Sequence, residues 1–159
     1  MFKSMQPEQY LAERVDQFQN WYDKKAVKAK SAFLRIRSAS VVGAVLVPVV
    51  ANAAFIGDSD TRAWLTTGLG LLVSISVALD SVFHFGDQWK NYRSTEQFLS
   101  REKFLYRTGE GPYKGMNDAD AFILLVERCE AQISAENSAT LNVIATAAQQ
   151  QTVSPAVTK

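Results

Sequence analysis

No side chain between residues 38 and 56 carries a charge, and after a short turn the stretch 63–85 carries a single acid, Asp80. An α-helix rises about 1.5 Å per residue, so roughly 20 apolar residues cross a hydrocarbon layer of about 30 Å. The pattern predicts two transmembrane helices, 38–56 and 63–85, joined by an extracytoplasmic turn at 57–62. On either side the apolar positions become periodic. Leu11, Val15, Phe18 and Tyr22 mark one face of an amphipathic helix over 8–37, and Trp89, Tyr92, Leu99 and Tyr106 mark another over 86–107. Gly109, Gly111, Pro112 and Gly115 make 108–116 a turn. A third helix over 117–137 follows, with capping oxygens at Asn117, Asp118 and Asp120 and a stripe of Phe122, Leu125, Val126, Cys129 and Ile133. The Ala, Thr, Gln and Ser-rich end, 146–159, reads as a disordered tail. The expected fold is an all-α membrane hairpin with long cytoplasmic helical extensions and a third cytoplasmic helix.

Charge then orients the hairpin. Lys24, Lys25, Lys28, Lys30, Arg35 and Arg37 precede the first run, and Lys90, Arg93, Arg101, Lys103 and Arg107 follow the second, whereas the turn holds two acids and one base. Basic flanks stay cytoplasmic, which places both termini there. Trp64 falls at the expected outer interface, and Trp89 with Tyr92 at the inner one. So few amphipathic helices cannot enclose two wholly apolar ones, which argues against a soluble bundle. The aromatic faces exceed what three short helices bury, so a homo-oligomer with coiled-coil-like packing is expected.

Within the second run Ser76, Asp80, His84 and Asp87 recur at helical spacing as one polar stripe. Ionisable groups in a span face water, protein or the interface, and the stripe reads equally as pore lining or as interfacial solvation. Beside it Gly70, Ser74 and Ala78 form a small face for helix packing, and Gly43 offers a shorter version in the first run. Pro48 removes one backbone hydrogen bond and is expected to kink that helix. Below the second run, Arg93, Glu96 and Glu102 are candidates for ion pairs within or between subunits.

No catalytic arrangement stands out. The chain has one histidine and one cysteine, and its glycines lack the Lys-Ser or Lys-Thr that follows a nucleotide loop. The expectation is no enzyme, no cofactor, no metal site and no nucleic-acid partner. A lone Cys129 allows no internal disulfide.

The segment Trp89-Lys90-Asn91-Tyr92-Arg93-Ser94-Thr95-Glu96, followed by Leu99, residues 101–106 and Gly111-Pro112-Tyr113, resembles the SLATT family of bacterial two-span proteins. These are described as SMODS and SLOG-associating two-transmembrane effector domains. The resemblance covers about residues 10–137. It implies a membrane-perforating or channel-like effector in bacterial conflict systems, triggered by a separate, nucleotide-linked sensor protein. The leading expectation is therefore an oligomeric channel or pore in the lipid bilayer; the alternative is a membrane-anchored scaffold that conducts nothing.

Overall fold

The computed structural model describes residues 5–152, with side chains as far as residue 142. Among them there are helices and turns and no strand. In chain order the elements are α1 (Pro7–Tyr10), a π-helical turn (Leu11–Val15), α2 (Asp16–Asn52), α3 (Ser59–Phe83), α4 (Phe85–Thr108), a 3-10 turn (Gly111–Tyr113) and α5 (Asp118–Thr152). No glycine and only Pro7 and Pro48 interrupt residues 7–42 and 44–52, so the backbone stays helical from Pro7 to Asn52. Pro7 sits at the helix start, where its missing N–H costs nothing.

The chain divides into two compact units, a hairpin and a helical bundle. The hairpin, residues 29–86, joins the second part of α2 to α3. Both helices are long and apolar enough to cross a membrane, and only 6% of each apolar window is buried inside the chain. The central helix of a soluble bundle is enclosed on all sides, and these are not.

In the hairpin two boundaries differ from the sequence reading. The turn lies at 53–58, not 57–62, because Asp58 caps α3: its carboxylate accepts the Thr61 N–H at 3.1 Å, and Asp60 adds negative charge to the first turn. Residues 59–62 are therefore helical. The second apolar helix ends at Phe83, not at residue 85, because His84 adopts a left-handed conformation (φ 48°, ψ 45°) while its N–H still bonds the Asp80 carbonyl at 3.0 Å. This break lets Phe83 and Phe85 stack with ring centroids 5.3 Å apart.

The bundle is formed by residues 5–28 and 87–146. Leu11, Val15 and Tyr22 from the N-terminal helices, Tyr92 and Leu99 from α4, and Leu125, Cys129 and Ile133 from α5 are buried together. Each set follows the three-and-four spacing of one helix face, as the sequence pattern predicts. Asn117 Oδ1 accepts the Asp120 N–H at 2.9 Å and starts α5. That helix then passes residue 137, the expected end, and continues to Thr152. Its extension 138–152 is rich in alanine and contains neither glycine nor proline, so nothing local stops it. The expected tail is thus helical over 146–152; residues 153–159 lie outside the described part.

Candidate functional site

The hairpin closes along a narrow seam. On α2 the sheltered positions are 36, 40, 43, 47 and 50, and on α3 they are 62, 66, 69, 73, 76 and 80, the alternating spacing of an antiparallel helix pair. Gly43 is buried at the closest approach, where an added Cβ would stand 2.5 Å from Cγ2 of Val73. Helices approach this closely only where one side chain is missing.

Ser76 is buried in that seam, and its hydroxyl donates to the Leu72 carbonyl of its own helix at 2.8 Å. Asp80, half-buried, falls on the same side. The four-residue stripe expected from the sequence is not continuous: His84 ends α3, and Asp87 belongs to α4. A helical projection carried through a left-handed residue loses its register, which is why the spacing misleads. The Nδ1 of His84 lies 3.3 Å from the Val82 carbonyl.

The small face of α3 turns elsewhere. Ser74 and Ala78 are exposed, and a Cβ on Gly70 would meet open space. Thr67 and Ser81, also exposed, extend this face to a stripe of small and hydroxyl side chains, two residues or about 200° around the helix from Ser76. The Ser74 hydroxyl donates to the Gly70 carbonyl at 2.9 Å. Pro48 lies inside α2, and Asn52 donates to its carbonyl at 2.8 Å instead of reaching another helix.

The bundle holds buried acids on its apolar faces. Glu102 occupies the α4 position between Leu99 and Tyr106 and is only 1% exposed. Arg128 on α5 clasps it with two N–H···O bonds of 2.8 Å, and the Tyr113 hydroxyl donates to it at 2.6 Å. Burial pushes the Glu102 carboxyl up, and the Arg128 and Tyr113 hydrogen bonds more than reverse this, leaving it below the usual carboxylate range. The Tyr113 hydroxyl is raised by burial and by the same carboxylate. Glu102 thus pairs across the bundle with Arg128.

A second bidentate pair joins Arg14 to Glu130 at 2.9 and 2.8 Å, with the Tyr10 hydroxyl donating to Glu130 at 3.1 Å. Arg14 holds the Glu130 carboxyl below its ordinary value. Arg93 bonds Asp23 at 2.9 Å and lies 3.2 Å from Glu96, which also accepts from Gln19 at 3.3 Å. Lys103 and Asp16 meet at 2.5 Å.

The sequence reading names Arg93, Glu96 and Glu102 but misses Arg14, Arg128, Glu130 and Glu136. The signal is available for one of the missed acids. Glu136, like Glu102, stands at a position where the stripes 92–95–99–102 and 125–129–133–136 call for an apolar residue, and a charge there demands a partner. Among the described residues no group of three or more His, Cys, Asp or Glu side chains is placed to hold a metal ion.

Cys129, buried in the same layer, has its thiol pushed up to about 12, chiefly by burial and then by the charge of Glu102. The arrangement is one of paired charges between helices.

No curated protein and no solved structure matches the chain. Residues 17–121 match the model of a family described as a protein of unknown function (DUF4231). The match takes in α2 from its second residue, the hairpin, α4, the Gly-Pro-Tyr turn and the start of α5, and leaves out Arg128, Glu130 and Glu136. It spans well over half of the sequence, and the chain belongs to the DUF4231 family.

Proposed function

We propose that this protein is a membrane hairpin that assembles with copies of itself into a channel or pore-forming effector of the bacterial cell membrane, with both termini in the cytoplasm. The observation that carries the reading is the outward stripe on α3. Thr67, Ser74, Ala78 and Ser81 are exposed on α3, and a Cβ on Gly70 beside them would meet open space. Small and hydroxyl side chains let membrane helices approach closely, and hydroxyls lining a shared axis hold water. The basic flanks support the orientation. The likeness of residues 89–96 and of the Gly-Pro-Tyr turn to SLATT two-span proteins supports an effector role, with a separate nucleotide-linked sensor as partner. In this reading the protein is not an enzyme.

A membrane-anchored scaffold without conduction is the second reading. It is favoured by Ser74 bonding its own helix and by Ser76 lying inside the seam, both of which reduce the polar surface offered to a pore. Ion flux through liposomes containing the purified protein separates the two. The channel reading expects flux that falls when Ser74→Leu or Thr67→Leu closes the stripe, with insertion unchanged. Vesicles that stay tight with correctly inserted, assembled protein would overturn it.

A further inference from the structure

The bundle's two bidentate ion pairs join Glu102 to Arg128 and Glu130 to Arg14. Glu136 on α5 is different. It is 4% exposed, yet among the described residues no lysine or arginine forms an ion pair with it. Its carboxylate accepts the Thr140 hydroxyl at 2.6 Å. The buried Tyr22 hydroxyl lies beside it and keeps its proton through burial and through the charge and hydrogen bonding of Glu136. A carboxylate taken out of water with hydroxyl partners and no counter-charge is unfavourable, so this position suits a cation.

Space for one lies beside it. Glu136 lines a cavity of about 210 Å³ between α4 and α5, walled by Asn91, Ser94, Thr95 and Gln132. Gln132 donates to the buried Thr95 hydroxyl oxygen at 3.4 Å, which leaves its amide oxygen as an acceptor. Every polar wall residue therefore offers oxygen to an N–H donor. Ala135 and Ala139 supply a small apolar surface. A divalent metal is a poor fit, since hard cations take six or more oxygens and commonly several carboxylates, and here there is one.

We propose that this cleft binds a small organic cation, an ammonium group on a short aliphatic stem, with Glu136 as its counter-ion and the Asn91 and Gln132 amides as acceptors. The proposal stands apart from conduction, because the cleft is built wholly within the helical bundle.

The test is calorimetric titration of the full chain in detergent with propylammonium chloride, using tetramethylammonium chloride at equal ionic strength as the control that lacks N–H donors. Saturable binding of propylammonium alone is expected. Glu136→Gln should abolish it, and Asn91→Ala, at a half-buried wall position, should weaken it about tenfold through loss of one charge-assisted hydrogen bond. If Glu136→Gln does not fold, the Asn91→Ala titration decides alone. No saturable heat, equal heats for the two cations, or unchanged affinity in the variants would overturn the proposal.

Discussion

Arg128 reaches from α5 to α4 and holds the Glu102 carboxylate by two parallel hydrogen bonds of 2.8 Å, the Glu102 side chain being almost wholly excluded from solvent. Planar guanidinium and carboxylate groups match in this geometry, and a point-charge ammonium does not. Removing one member strands the other. Arg128→Ala is expected to destabilise the bundle by about 3 kcal/mol, and Arg128→Lys by a smaller amount, because one charge remains but the fork is lost. The double variant Glu102→Met with Arg128→Met should recover most of the loss. Urea unfolding followed by the helical signal checks the series, and an Arg128→Ala variant as stable as the parent would remove this pair from any account of the fold.

The same pair sets an acid limit. Glu102 and Glu130 both titrate below the ordinary glutamate range in the folded chain, so the unfolded chain binds more protons as the pH falls. Their contribution is complete above the unfolded pKa of about 4.3 and is lost as the pH drops through the lower folded values. Stability should therefore be flat above about pH 5 and fall steeply below about pH 4. Glu102→Gln should lower the plateau and make the acid limb shallower. Thermal unfolding at stepped pH would show it, and an identical limb in the variant would locate the titration elsewhere.

Cys129 provides a local report on the same layer. Its thiol is buried between the apolar neighbours of α5 and pushed up to about 12, so little thiolate exists at pH 8. Reaction with a disulfide reagent is expected to be slow in the native chain and rapid in denaturant. In Arg128→Ala the native rate should rise as the bundle opens more often. A native rate equal to the unfolded one would contradict the burial of this residue.

How far the sequence reveals these features depends on how local they are. Helices are readable because apolar spacing repeats within each one, as with Leu11, Val15 and Tyr22, and Gly43 announces itself because a missing side chain in an apolar run has few uses. The partner of Glu102 is not readable, since Arg128 lies 26 residues away across a turn. The Ser76–Asp80–His84–Asp87 stripe fails for a subtler reason: the projection assumes an unbroken helix, and one left-handed residue at 84 ends it. Whether Ser76 faces a neighbour inside the hairpin or outside it depends on which side α2 occupies, and no periodicity within α3 carries that information.

Gly43 and Val73 make the tightest approach that the structure offers for test. A methyl group on residue 43 would stand 2.5 Å from a Val73 methyl, inside any van der Waals contact, and a β-branched side chain has few rotamers into which to retreat. Gly43→Ala should destabilise the hairpin by roughly 1–3 kcal/mol, as overpacking commonly does. Val73→Ala alone leaves a small void, but combined with Gly43→Ala it should restore most of the loss. Thermal stability of the four proteins in one detergent gives the coupling, and additive effects would mean that the two helices do not meet at these residues.

His84 carries the last expectation. Non-glycine residues at positive φ are uncommon, and an L side chain there costs about 1–2 kcal/mol because its Cβ crowds the backbone. Glycine has no such penalty, and asparagine suffers less than most. His84→Gly should thus fold at least as well as the parent and His84→Val distinctly worse, since a β-branched side chain tolerates this conformation least. The order is opposite to that expected of a continuous helix through residue 84, in which glycine would be the most damaging of the three. Thermal unfolding of the two variants beside the parent therefore distinguishes a break at His84 from a helix running through it: glycine above valine places the break there, and valine above glycine removes it.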